Sequence, residues 1–303
     1  MPPVTAVSHS NLYPLKRMVL DAVLSPITKV IYGKALEDFF AWRDSQGSPA
    51  FTRFAVQAHR SELEKRGYAP STVNQRLAAI RKLAREAAAN GLLDSGVAAG
   101  IVQVTGARQQ GIRAGNWLTK TQAEALVNAP DPLSLKGCRD RAILALLVGC
   151  GLRRAEATGL ALDHLQQRDG RWVLIDIRGK HGHIRTVPVP DGVKRALDVW
   201  IAAAGVAKGR ILRAVDRHDR VLGDRISPQA ILDLVARYGR LLGLQIKPHD
   251  LRRTCAKLCR EEGAELEQIQ FLLGHASIQT TERYLGSRQN LAAAPNDRLG
   301  LWT

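Results

Sequence analysis

The chain has 303 residues, more than a single hydrophobic core usually carries, so two domains are expected. Hydrophobic residues make up 45% and charged residues 24%, which excludes a disordered or fibrous protein. Forty-four Lys and Arg against 28 Asp and Glu give a formal net charge of +16, an excess that points to a polyanionic partner, nucleic acid before membrane.

Residues 1 to 25 contain proline and are only weakly periodic, so they read as an extended or partly ordered leader. From Ser25-Pro26 to Gly106 the pattern is helical, with Ile31, Ala35, Leu36, Phe39 and Phe40 on one face. Ala50 to Lys65 and Ser71 to Ala89 are two further amphipathic segments; Pro70 stops the first, Ser71 caps the second and Asn90-Gly91 ends it. Three or four helices over 26–106 predict a small bundle. Between Lys29 and Arg108 it carries twelve Lys and Arg against seven acids. Arg76, Arg81, Lys82 and Arg85 share one helix with Asn74 and Gln75, a candidate surface for tracking DNA phosphates.

Thr105 to Asn116 (TGARQQGIRAGN) has three glycines, no apolar periodicity, and Arg108 and Arg113. It reads as an interdomain linker over 107–116, a basic strap along DNA.

The second domain begins at Trp117. Thr119 and Thr121 can cap a helix running to Asn128, and Asp140 to Val148 is a strongly apolar helix broken at Gly149 and Gly151. Arg171 to Arg178 and Ile184 to Pro190 read as strands joined by a turn at Gly179-Lys180-His181-Gly182. Helices follow at 191–204, 227–243, 249–262, 265–273 and 277–285. The domain is mostly helical with one small sheet.

The longest apolar run, Ala142 to Leu152, has eleven residues, against the ~20 that span a bilayer. No apolar segment follows a basic start, so no secretory signal is expected, and the location is read as cytoplasmic, near the bacterial nucleoid. Cys138, Cys150, Cys255 and Cys259 lack paired zinc spacing and read as buried, reduced thiols; no metal and no cofactor are predicted.

Cleaving a phosphodiester without metal needs a nucleophile, cations on the non-bridging oxygens and an acid for the departing oxygen. Arg153 and Arg252 suit the second task, because a guanidinium bonds two phosphate oxygens at once and stays charged. Arg154 reads as a surface ion-pair residue. His249 opens a helix after Pro248 with Arg252 in phase three residues on, which fits a phosphate contact or a proton shuttle. Tyr284, nine residues after His275, is the candidate nucleophile. Its phenol needs help to ionise at neutral pH, and Arg153, Arg252 and His275 are placed to supply it. Tyr13, Tyr32, Tyr68 and Tyr238 read as packing residues.

Gly151-Leu-Arg153-Arg-Ala-Glu156, Gly179-Lys180, His249-Asp-Leu-Arg252, Leu-Gly274-His275 and Tyr284 occur in this order, and the set resembles the active site of the tyrosine recombinases, the phage-integrase family. The resemblance covers roughly residues 26–290. It implies an N-terminal SAM-like core-binding domain over 26–106, an α+β catalytic domain over 117–290 and a short tail over 291–303. The layout is nearer to Xer proteins and simple integrases than to lambda-like integrases. It implies catalytic roles for Arg153, Lys180, His249, Arg252, His275 and Tyr284, with Lys180 as the acid for the leaving 5′ oxygen, His275 as a hydrogen-bond donor to the phosphate and Glu156 as structural support. His181, His183 and Arg185 neighbour Lys180 and are alternatives for reaching DNA. The expected activity is cutting and rejoining of DNA through a 3′-phosphotyrosyl link, without metal or ATP, in integration, excision or resolution. The expected assembly is a homotetramer on paired double-stranded core sites, with a related recombinase or a directionality factor as further partners. For the tail, with Leu291, Leu299, Leu301 and Trp302, docking on a neighbouring protomer and disorder stand as equal readings. Alternatives are a type IB topoisomerase, a non-catalytic DNA-binding protein of the same fold and, last, a nuclease.

Overall fold

The structure, a computed structural model, describes residues 12–108, 116–179 and 182–285, in two compact units, 1–113 and 114–303.

The first unit is a bundle of five described helices: α1 (Leu12–Asp21), α2 (Pro26–Ser45), α3 (Arg53–Lys65), α4 (Pro70–Ala89) and α5 (Ser95–Val102). α4 is its axis. Val73, Leu77, Ile80, Leu83, Ala84 and Ala87 recur at helical spacing, are all buried, and pack against Leu36 and Phe39 of α2. Serine and aspartate start the flanking helices, Ser25 accepting from the amide of Thr28 and Asp94 from that of Val97.

Two expectations for this region are corrected. The leader is helical from Leu12 onward: Leu15 and Val19 are buried in the same core, and α1 packs on α4 and α2. Pro14 lies in the first turn of α1, where its missing N–H costs nothing. Residues 1–11 lie outside the described set. Pro70 does not stop a helix but begins one; Ala69 is the cap residue, and Ser71 is already inside α4.

His59 of α3 is 2% exposed, and neither ring nitrogen has a hydrogen-bond partner. Its ring lies 5.0 Å from Phe39 and 4.9 Å from Trp42. Burial, followed by the charges of Arg76 and Arg66, pushes its pKa down to about 4.

The second unit wraps a mixed set of elements around one helix. In chain order these are α6 (Lys120–Asn128), α7 (Leu135–Gly149), α8 (Arg154–Gly159), β1 (Leu165–Arg168), β2 (Arg171–Arg178), β3 (Ile184–Pro188) and α9 (Asp191–Ala203). Then come β4 (Ala214–Val215), β5 (Val221–Leu222), α10 (Pro228–Leu241), α11 (Pro248–Glu261), α12 (Leu266–Leu273) and α13 (Ile278–Leu285). The main sheet is antiparallel in the order β1-β2-β3, with Leu165 opposite Leu174 and Val173 opposite Pro188. α7 is buried on all sides from Ala142 to Leu147, which its continuous apolar run requires.

α7 begins at Leu135, five residues before the expected Asp140. Ser134 caps it, and the Asp219 carboxylate accepts from the amides of Leu135 and Lys136 at 2.7 and 2.8 Å. Asp140 is fully buried, held by Arg139 at 2.6 Å, Arg237 at 2.5 Å and the Tyr238 hydroxyl at 3.0 Å. The strand β1 and the short β4–β5 pair were not expected. The thiols divide: Cys150 and Cys255 are buried, while Cys138 and Cys259 are half-buried. Among the described residues no helix is long and apolar enough to cross a membrane.

Removing Asp140 strands the buried Arg139 guanidinium and the Tyr238 phenol and unpairs the half-exposed Arg237. Asp140→Ala is therefore expected to lose about 3–5 kcal/mol of stability in urea unfolding, and a loss below about 1 kcal/mol would contradict the ledger of a buried network. For His59, the unfolded chain takes up its proton at pH 6.5 and the folded one only near pH 4. Stability is full above pH 6.5 and falls as pH drops through this window. His59→Leu is expected to flatten that slope, read from urea midpoints at pH 7 and 5.

Candidate active site

A sharp backbone turn after α7 creates the first wall of the site. Gly151 has φ +58°, and a Cβ there would sit 2.9 Å from Leu273 Cδ2 and 3.3 Å from Cys255 Sγ. Both the left-handed conformation and the close approach call for glycine. Gly149 is equally confined, since a Cβ would meet Val193 Cγ2 at 2.5 Å. The turn places Arg153 at the N-cap of α8.

Glu156 lies three residues on, with 4% of its side chain exposed. It accepts from Arg153 Nη1 at 2.7 Å and from the Arg153 amide at 2.8 Å. Arg185 of β3 forms a bidentate pair with it at 3.0 and 2.8 Å, and Arg252 Nη1 lies 3.9 Å away. Burial pushes the Glu156 carboxyl up, but the bonds and charge of Arg185 and the bonds from Arg153 outweigh it and hold the pKa below the usual range. Glu156 is thus an ionised anchor.

Arg185 is a correction to the sequence reading. The sequence offers it as an alternative to Lys180 for reaching DNA, but in the free chain it is committed to a buried partner. Its side chain is 8% exposed, paired to Glu156, and its Nε donates to the Leu272 carbonyl at 2.9 Å. Its stem also fills the space over Gly274, where a Cβ would meet Arg185 Cδ at 2.8 Å.

Arg252, on the first turns of α11, is 1% exposed. Its Nη1 donates to the Gly151 carbonyl at 2.6 Å and its Nη2 to the Leu273 carbonyl, while its Nε has no acceptor. Burial, then the charge of Arg153, pushes its pKa down to about 10. It remains charged at neutral pH.

Gly274, with φ +62°, ends α12 in the left-handed conformation and turns the chain so that His275 faces the site. His275 Nδ1 lies 3.0 Å from the hydroxyl of Thr281, which is fully buried on α13. Burial, then Arg252 and Arg153, push the His275 pKa down to about 4, so its ring is neutral. His249 is shifted the same way, by burial and then by Arg252 and Arg253.

Tyr284 stands between these rings. Its ring centroid is 5.3 Å from His249 and 5.2 Å from His275, both edge-on, with the Arg253 guanidinium 4.8 Å above the ring. Its hydroxyl donates to the His249 carbonyl at 3.2 Å. The arginines Arg252, Arg253 and Arg153 favour the phenolate as expected, but burial outweighs them and pushes the phenol up to about 12. Neutral His275 adds no charge to help. Without DNA the phenol is protonated, so the expected help from Arg153 and Arg252 is not enough to ionise it in the free chain.

Arg153, His249, Arg252, His275 and Tyr284 are therefore brought together, from four separate stretches of chain. Lys180 and His181 lie outside the described residues, as do Arg113 and the tail 291–303. On either side of Lys180 and His181, the Gly179 amide donates to the His183 carbonyl at 2.7 Å, and His183 is exposed. Arg153, Arg252 and His249 open on a cleft of about 510 Å³, with Arg154, Lys247 and Leu232 on its walls.

The basic residues of α4 are not one cluster. Arg76 is turned away from the others, paired with Asp38 at 2.5 Å and stacked 4.7 Å over Tyr68. Arg81 donates to the Val104 carbonyl, and Lys82 pairs with Glu86 at 2.7 Å. Arg85 and Arg108 are exposed. Sequence reasoning named Arg185 only for reaching DNA and missed its bond to Glu156, and it missed Thr281 and Arg253 as site residues. A charged residue alternating inward on β3 was the one available signal for Arg185; nothing local marked Thr281.

Residues 116–290 match the phage integrase family, and residues 15–91 match the phage integrase N-terminal SAM-like domain. The chain is 32% identical to the tyrosine recombinase XerC of Pseudomonas putida over 270 residues, covering 86% of this chain and 85% of that one. It is 30% identical to a tyrosine recombinase of Synechococcus elongatus, covering 97% of this chain and 95% of that one. Among solved structures, the fold is similar to XerH recombinase bound to its palindromic difH substrate, with a TM-score of 0.69, 19% identity and coverage of 93% and 82%. A lambda integrase dimer bound to a core site has a TM-score of 0.67, 19% identity and coverage of 91% and 76%. A helical SAM-like unit, a mostly helical catalytic unit with a small sheet, and kinship to XerC over most of both chains agree: the chain belongs to the phage integrase family, as a Xer-like tyrosine recombinase.

Proposed function

We propose that this chain is a site-specific DNA recombinase in which Tyr284 attacks the scissile phosphate and becomes joined to the 3′ side of the break. The observation that carries the reading is the Tyr284 phenol enclosed by His249, His275 and Arg253, beside Arg252 and the Glu156-held Arg153. The Tyr284 oxygen–phosphorus bond forms as the bond from phosphorus to the 5′ oxygen breaks. Neutral His249 takes the phenol proton, and Lys180 protonates the departing 5′ oxygen. Arg153 and Arg252 stabilise charge on the non-bridging oxygens. A Thr281 hydroxyl donating to His275 Nδ1 leaves the ring proton on Nε2, free to bond the phosphate. The phosphotyrosyl ester keeps the bond energy, so a 5′ hydroxyl of a second duplex reverses the step and exchanges strands.

In this reading the 26–106 bundle and the catalytic domain grip double-stranded DNA, joined by the 107–116 linker, with Arg81, Lys82, Arg85, Arg108 and Arg113 on phosphates. Arg76, committed to Asp38, supports the bundle instead. The working unit is a homotetramer on synapsed sites, in the cytoplasm, serving a mobile element or chromosome resolution. The kinship to XerC over most of both chains supports a recombinase above a topoisomerase.

The test is a nicked suicide duplex carrying the core site, incubated without added metal and run on a denaturing protein gel. The wild type is expected to give a slow-migrating covalent adduct. Tyr284→Phe is expected to bind the same duplex and give none; an adduct in Tyr284→Phe would remove the phenol from the mechanism. Glu156→Gln takes the charge from beneath three arginines. Single-turnover adduct formation is expected to fall roughly 100-fold through misplacement of Arg153 and Arg252, with DNA affinity within about threefold on exposed contacts that remain. Equal losses in affinity and rate would instead make Glu156 a binding residue.

A further inference from the structure

The catalytic set leaves part of its cleft unexplained. Beyond Arg153, Arg252 and His249, the walls carry Arg154 and Lys247. Both are exposed and without an ion-pair partner among the described residues. Among the described residues, no carboxylate lines the cleft. Asp250 Oδ2 accepts from the Lys247 amide at 2.9 Å, while Glu156 is taken by Arg153 and Arg185.

The position of Lys247 is locally unfavourable. It is the N-cap of the fourteen-residue α11, where its side chain caps nothing. Ser, Thr, Asp or Asn would satisfy an amide there, and a cation at this helix end opposes the macrodipole. A residue that weakens its own helix needs a compensating partner, and the partner complementary to it is an anion in the cleft. Arg252 adds a second pointer: it is 1% exposed, lines the same cleft, and its Nε–H has no acceptor. At about 510 Å³, the cleft falls in the range that holds nucleotide-sized ligands, larger than one phosphate needs.

We infer that Arg154 and Lys247 form a second phosphate subsite, which holds the phosphate next to the scissile one on the same strand. The inference rests on the reading of this cleft as the site of phosphodiester cleavage. Two anchored phosphates fix the direction of the strand through the cleft, which one phosphate, free to pivot on Arg153 and Arg252, does not. Arg154 and Lys247 are binding residues in this account and take no part in bond making.

The test uses the full chain and a probe independent of the DNA site. Thymidine 3′,5′-bisphosphate carries two phosphates one nucleotide apart, and thymidine 3′-monophosphate carries one. Wild type is expected to bind the bisphosphate about tenfold more tightly in calorimetric titration, the gain of one charge-assisted contact. Arg154→Gln/Lys247→Gln is expected to keep the monophosphate affinity and lose that preference. Arg195→Gln, an exposed arginine on α9 outside the cleft, is expected to keep both. On a random 40-base-pair duplex, the double variant should lower the slope of log affinity against log salt by about one. The inference is overturned if wild type does not distinguish the two probes, if neither binds, or if the double variant retains the preference. Adduct formation by Tyr284 on the core duplex is scored separately: an adduct with no bisphosphate preference sinks the subsite and leaves the recombinase standing, and a preference with no adduct does the reverse.

Discussion

One buried carboxylate organises the catalytic unit. Glu156 is ionised at 4% side-chain exposure, and such a charge is tolerable only when cations surround it. Those cations arrive from three separate places: Arg153 from the turn after α7, Arg185 from β3 and Arg252 from α11. A sheet, a core helix and the helix bearing His249 are thereby tied to a single pair of oxygens. Arg153 spends one nitrogen on Glu156 and stays partly exposed, so the anchor fixes its stem while its other nitrogens face the cleft. The same ion that stabilises the site orients its reactive arginine.

The backbone carbonyls complete this frame. Arg252 donates to Gly151 and Leu273, and Arg185 donates to Leu272, so the ends of α7 and α12 are pinned by side chains from other elements. Those two ends are where glycine is demanded, Gly151 against Leu273 and Cys255, Gly274 against Arg185. Any side chain at either position would push apart the very groups that hold the guanidiniums. The glycines and the arginines are one device: the first allow the close approach and the second bridge it.

Much of this was legible in the sequence because the chemistry sits at helix boundaries, and helix boundaries announce themselves. Gly149 and Gly151 ended α7, Pro248 began α11, and Gly274 ended α12; Arg153, His249, Arg252 and His275 follow these signals by one to four positions, while Tyr284 lies further on, in α13. Strands β2 and β3 were readable from alternation, and so was their antiparallel pairing. What escaped depends on contacts between distant residues. Asp219 caps α7 from more than eighty residues away, so α7 starts earlier than its own sequence suggests. α1 is amphipathic within its own ten residues, with Leu15 and Val19 buried against α4, but it is lost in a leader only weakly periodic over all of 1–25. Arg185 looked like one more basic residue near a turn, because its partner Glu156 is twenty-nine residues earlier. The basic residues of α4 looked like a single surface because a linear reading ignores the 100° turn per residue that sends Arg76 to Asp38.

Burial explains why arginine, rather than lysine or histidine, carries the permanent charge. The same low-dielectric surroundings act on every titratable group of the site. They push His275 down to about 4 and the Tyr284 phenol up to about 12, so both are neutral at pH 7. A lysine at the position of Arg252 would start about two units lower and face the same penalty. Arg252 is lowered to about 10 and still keeps its proton. The site is thus sorted by a single effect into groups that hold charge and groups that can exchange protons. Tyr284 and the two histidines wait uncharged, and the guanidiniums remain as fixed positive charge. A phosphate entering the cleft meets that charge already in place, and its own negative charge offsets the like-charge crowding of Arg153 against Arg252. Glu156 and the carbonyls of Gly151, Leu272 and Leu273 hold the arginines in the free chain, and a bound phosphate adds a further counter-charge.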